Sequence, residues 1–535
     1  MDASQFRHLL KLGLGRAILY AKGHDVEAFR NLILDACLHC YAYDPQIEGT
    51  RADYMLELVD FMPGKTFYHE QVLNALPGSG DDYDAVQRFR FAACLAFDGD
   101  DRAKQAMYQN YKPGPRMGEG IGIDFLQMDG TNGLLFAAEK MGELLMATRE
   151  KVDLGWLLSV AGEKLGEQEA REALRKAGTE NPRIEVYRLA VEASRKRLDE
   201  SLSRSGEMIN ASYDQLKPKL PEMTFTWITS WGERASDADI ERAAQGLAAA
   251  QNPKEQYAHL RIFAHRRFPL DIQLLLGLVD VEQERVGLAA LKALSQITHP
   301  AVRELAFRLV KRRARWRGEA IDLLARNFIH GDHAIALGWF EAEEDLETRH
   351  TLGSDLIDLW ERYPDEETEV PMLRTVYEQG PCSFCREKIV RRLIERGALT
   401  EELRSECSFD ANDHIREVSN PPAKPEALKT VSRSKRLRGR CRGPAKPLWG
   451  DGTACRGAHY RSFNANPCRW IQKVRSTRLR TSGRAYRPLA WNVPHHGKVM
   501  CHVLRELSNF CCLPGRAGGS PIGLVKPSPA TAPQG

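Results

Sequence analysis

Apolar residues recur at helical spacing over most of this chain, in segments too short and too one-sided to stand alone. Between residues 282 and 297, Val286, Ala290, Ala293, Leu294 and Ile297 lie 4, 7, 8 and 11 positions from the first. That spacing lines one face of a helix. Thr298-His299-Pro300 then interrupts the pattern, and Pro300 suits the first turn of a new helix, where its missing N–H costs nothing. The next face is Val302, Leu305, Ala306, Leu309 and Val310, and a third follows with Ala320, Leu323, Leu324 and Phe328. Amphipathic helices joined by tight turns bury their faces by stacking on neighbours, so the unit predicts a helical array.

Similar segments occupy 4–22, 26–41, 50–62, 67–76, 83–97, 101–110, 131–147, 153–165, 167–177 and 184–205. They continue at 237–250, 254–267, 347–362, 382–396 and 400–408. Glycine, proline and aspartate punctuate them, as at Gly23-His24-Asp25 and Gly380-Pro381. Strand signals are sparse; the run 223–228 is the best of them, and it equally opens a helix. A single compact core rarely exceeds about 250–300 residues, so 535 residues imply several domains or a repeat array.

Three stretches carry a resemblance. "HPAVRELAFRLV" (299–310), with Val-Arg opening its helix, resembles a HEAT-type repeat. So does "GPCSFCREKIVRRLIERGALTEELRSECSFDANDHIRE" (380–417), and "ACLHCYAYDPQIEGTRADYMLELV" (36–59) is similar to the N-terminal part of bacterial proteins of that kind. The resemblance covers residues 1–418. It implies an all-α fold, an α-α superhelix or solenoid, and specifies fold better than function. Such arrays most often act as non-enzymatic scaffolds that bind protein segments. Some bind duplex DNA in a basic groove and excise alkylated bases, and others serve as lyases or chaperones for bound chromophores.

The chain changes character after residue 418. Residues 431–535 hold 20 Lys+Arg against two acids, Asp451 and Glu506, a charge of +18. Residues 1–430 hold 56 against 70, a charge of −14, so the total of +4 conceals two opposed parts. The tail also holds six of the twelve cysteines and Trp449, Trp470 and Trp491. Out-of-frame translation of a GC-rich gene gives such a mixture of Arg, Gly, Cys, Pro and Trp; a basic tail that binds nucleic acid is the alternative. Residues 419–535 are therefore expected to be largely unstructured and to add no native core. No run of about 18 apolar residues marks a transmembrane helix. Met1–Gln5 lacks the basic start of a signal peptide. The expectation is a cytoplasmic protein with reduced cysteines and no membrane association.

No catalytic motif is visible, so neither catalytic residues nor a cofactor are assigned. Cys37/Cys40 and Cys382/Cys385 are CxxC pairs, each able to form half of a zinc site. Neither has a second pair at ribbon spacing, and both lie along apolar stripes, so core packing without metal is expected. His330-Gly331-Asp332-His333 reads as a helix end at Gly331 and a new start at Asp332. Gly114, Gly118, Gly120 and Gly122 lack the strand and Gly-Lys-Ser/Thr of a phosphate loop and read as an interhelical loop. Cys455, His459, Cys468, His495, His496, Cys501 and His502 supply zinc-ligand types in the tail at irregular spacing.

One cluster remains as a candidate binding face. Arg308, Lys311, Arg312 and Arg315 fall at spacings of 3, 4 and 7, opposite an apolar stripe, with Arg313 and Arg317 close by. His265-Arg266-Arg267 precedes them by about one repeat. On an acidic body such a patch suits an acidic protein segment, with nucleic acid as the alternative partner.

Overall fold

The computed structural model describes residues 1–76, 82–148, 152–223, 225–312 and 314–420. All of them fall in the first of the chain's two units, Met1–Ala490; the second, Trp491–Gly535, lies outside the described residues. So does the basic tail from residue 421 onward, with its cysteines, histidines and tryptophans.

Among the described residues there are 27 α-helices, four short 3-10 turns and no strand. Helices Tyr83–Phe97, Asp101–Asn110 and Thr131–Ala147 coincide with their apolar periods. Local chemistry sets many of the boundaries. Asp2 and Gln5 form a reciprocal capping box at the first helix. Asp82, Ser236 and Asn252 cap later helices through their side chains. Pro300 opens helix Pro300–Lys311 as expected, behind a His299 N-cap whose side chain accepts from Ala301 N. The run 223–228 forms no strand: helix Phe225–Arg234 opens inside it.

The glycine-rich stretch departs from expectation. It is no loop but contains helix Gly118–Asp129, most of it buried. Its glycines permit close helix contact: a Cβ on Gly118 would stand 2.7 Å from Met141 Sδ, and one on Gly120 3.2 Å from the Trp156 ring. Across the same interface a Cβ on Gly133 would meet the Phe125 carbonyl oxygen at 1.9 Å. Intrinsic propensity disfavours such a helix, and close packing outweighs it. Glu119, buried within this helix, accepts from the N–H groups of Gly155, Trp156 and Leu157 (3.0, 2.6 and 3.1 Å) and from Tyr187 Oη at 2.7 Å. A side chain from elsewhere thereby satisfies the first donors of helix Trp156–Leu165.

Among the described residues the buried apolar side chains form four cores. Phe89, Met107, Tyr111 and Phe125 belong to one, and Leu134, Met141, Leu157, Leu174 and Tyr187 to the next. Trp231, Phe263, Leu291, Leu305 and Leu324 belong to a third. The remaining core is built from both ends of the helical region: Phe6, Leu10, Ile33 and Leu58 pack with Leu356, Trp360, Val390, Leu393 and Ile415. In a linear solenoid each repeat touches only its neighbours. Here the first and last segments share one core.

Polar contacts fix that closure. Ala411 N donates to Gly13 O at 2.8 Å, and Arg386 Nη2 to Leu12 O at 2.8 Å. Arg16 reaches Glu378 at 2.6 Å and Glu406 at 2.8 Å. Lys22 Nζ sits 3.5 Å from the centre of the Phe409 ring. Gly13 takes a left-handed φ of 69°, and a Cβ on Gly15 would stand 1.9 Å from the Glu406 carbonyl oxygen. The two ends approach at these glycines because no side chain intervenes.

Candidate functional site

The clearest chemical constellation gathers at this junction. Pro381 and Cys382 precede helix Ser383–Glu395, with Cys382 as its extended N-cap residue and Cys385 in the first turn. Helix Leu346–Arg362 brings His350 to the same place. One ligand atom each from His350, Cys382 and Cys385 lies within 4.8 Å of the others. Tyr43 packs its ring 5.0 Å from that of His350 and donates its hydroxyl to Glu347 at 2.6 Å.

The electrostatics agree with this geometry. The Cys382 thiol is held well below its ordinary range, chiefly by a hydrogen bond from Cys385; burial opposes the shift and His350 supports it. Burial works against the His350 imidazolium, yet the contact with Cys382 raises its pKa overall. Both effects favour a thiolate beside a proton donor or a cation. Cys37, by contrast, is pushed well up by burial alone.

A carboxylate from the opposite end of the helical region completes the surroundings. Helix Pro45–Glu48 ends at Glu48, whose side chain has no exposed surface. Its Oε2 accepts from Arg51 Nη2 at 2.8 Å. Burial raises the Glu48 pKa to about 7; Arg51 opposes the rise, and the Cys382 charge adds to it. A hydrogen bond from the Ser383 side chain, next to Cys382 in sequence, helps hold the charged form.

The other sequence candidates sit elsewhere. Cys37 is buried in helix Arg30–Leu38, but the helix ends before Cys40, so the apolar stripe does not extend to it. Cys40 N donates instead to Asp84 at 2.7 Å. Gly331 takes the left-handed conformation, φ 94°, before helix Asp332–Glu341. Asp332 lies inside that helix rather than at its cap: its carboxylate pairs with Arg303 at 2.5 Å and accepts from Ile329 N at 2.8 Å. His333 is buried beside Phe328 and Trp360.

Helix Pro300–Lys311 buries Val302, Leu305, Ala306 and Leu309. Arg308 and Lys311 stand exposed in its last turn, Arg312 is its exposed C-cap, and Arg315 follows, also exposed. Arg315 pairs with Glu284 and lies over the Trp316 ring. Nearby cations are engaged too: Arg303 with Asp332, Arg317 with Glu343, and Arg266 with Asp237. Arg308, Lys311 and Arg312 make no ion pair among the described residues.

The chain matches no family model, no curated protein and no solved structure. Among the described residues no helix is long and apolar enough to cross a membrane. Sequence reasoning found the CxxC pair at 382 and 385 but not its companions. His350 lies 32 positions before Cys382 and Glu48 far earlier in the chain. Neither interval is a ligand spacing, so only the fold brings them together.

Proposed function

We propose that this protein is a non-enzymatic, HEAT-like interaction scaffold that takes an acidic protein segment on the face of Arg308, Lys311, Arg312 and Arg315. One observation carries the reading: three of these cations are exposed and without an ion pair among the described residues, whereas neighbouring arginines are engaged. A helix C-terminus favours a cation or two against its dipole, but that effect fades within one turn and does not call for a group of four. The body that bears the patch is net acidic, −14 over residues 1–430. A local patch on such a body suits a short acidic segment better than a long duplex, whose remaining charge would face like charge.

The test titrates the full chain with a labelled oligoglutamate peptide and with duplex DNA over a range of salt. Arg308→Glu/Lys311→Glu/Arg312→Glu is compared with the unaltered chain. The reading expects peptide affinity to fall in the variant and its salt slope to flatten. Equal peptide binding by both chains excludes this face. A selective loss of DNA binding assigns the face to nucleic acid.

A further inference from the structure

We propose that His350, Cys382 and Cys385 bind one zinc ion. This goes beyond the scaffold reading and does not depend on it. The three donors come from two helices and already lie within 4.8 Å of one another. A tetrahedral zinc with bonds of about 2.0–2.3 Å places its donors roughly 3.4–3.8 Å apart, so modest side-chain adjustment completes the set. Thiolate and imidazole together select zinc over the hard cations calcium and magnesium.

Three protein ligands leave the fourth tetrahedral position to a water.

A redox dithiol is the competing use of CxxC at a helix start. It needs no third donor, and it needs access to the attacking sulfur. Cys382 is 4% exposed. The bound ion would tie helix Leu346–Arg362 to the start of helix Ser383–Glu395.

The test is alkylation of the reduced full-length chain by N-ethylmaleimide, with added zinc or with chelator, followed by peptide mapping. Mapping separates Cys382 and Cys385 from the cysteines of the tail. Zinc is expected to abolish labelling of Cys385 and of whatever fraction of Cys382 reacts in chelator, and to leave Cys40 unchanged. The zinc concentration that half-protects Cys385 should rise in His350→Ala by more than the roughly tenfold that loss of an outer partner alone costs. Equal labelling of Cys385 in zinc and in chelator overturns the site. Recovery of Cys382 and Cys385 as a disulfide from the zinc-treated chain overturns it in favour of redox chemistry. An unchanged half-protecting concentration in His350→Ala overturns the three-donor site.

Discussion

Arg386 and Asp410 form an ion pair with almost no exposed surface on either partner, at 2.9 Å. Asp410 also accepts from Asn412 N at 2.8 Å, and Arg386 donates to the carbonyl of Leu12. Removing one partner strands the other charge away from water. Asp410→Ala is expected to lower unfolding free energy by about 3–5 kcal/mol in a denaturant titration. Replacing both residues with well-packed apolar ones should cost much less, because nothing charged is then left buried. Two histidines give a second prediction. His259 sends its Nδ1–H to Glu255 O at 2.8 Å and accepts at Nε2 from the Tyr213 hydroxyl at 2.9 Å. Burial depresses its pKa below 6.5, and burial does the same at His333. The unfolded state therefore binds more protons than the folded one just below that pH. This contribution to stability is complete above about 6.5 and declines as pH falls toward the depressed folded values. His259→Gln should flatten that decline in thermal melts between pH 7 and 5.

At the scale of elements, two glycines in helices should respond to alanine in opposite senses. Gly338 sits exposed in helix Asp332–Glu341, with nothing within 4 Å of an added Cβ. Gly338→Ala should raise stability by about 0.5–1 kcal/mol through helix propensity alone. Gly133→Ala gains the same propensity but drives a methyl into the Phe125 carbonyl, so a loss of about 1–3 kcal/mol is expected. Paired denaturant titrations of the two variants read the difference. These glycines also mark where sequence reading succeeds and fails. Helices with a strong one-sided period, such as Asp101–Asn110 and Thr131–Ala147, were legible because local pattern and tertiary burial agree. Helix Gly118–Asp129 was not, because glycine argues locally for a loop and only the neighbouring helix explains its use. Helix Glu366–Gln379 carries Pro371 in its interior, another local argument against a helix, yet Leu373, Val376 and Tyr377 pack into the core. The basic face was legible only in part: Arg308 and Lys311 share the exposed side of helix Pro300–Lys311, but the helix ends there, so Arg312 is its C-cap and Arg315 lies beyond it, off the spacing of 3, 4 and 7 that one continuous helix would give.

The whole molecule depends on contacts that leave no periodic trace. Gly13 meets Ala411, Arg16 meets Glu406 and Arg416 meets Glu57, each pair separated by more than 350 residues. Nothing in the spacing of residues along the chain encodes such pairings, so the shared core and the His350–Cys382–Cys385 cluster emerged only from the fold. The central claim is that the first and last segments of the helical region form one cooperative unit. Gly15→Ala tests it most directly. Gly15 has an ordinary right-handed backbone, φ −59°, so alanine adds no local strain and its methyl runs into the opposite segment, at the Glu406 carbonyl oxygen and at Phe409. Hydrogen exchange on the full-length chain would compare the variant with the unaltered protein. Protection is predicted to fall together in helices Ala3–Leu12, Ser383–Glu395 and Glu401–Cys407. Loss confined to the residues flanking position 15, with the two C-terminal helices as protected as before, would contradict the account.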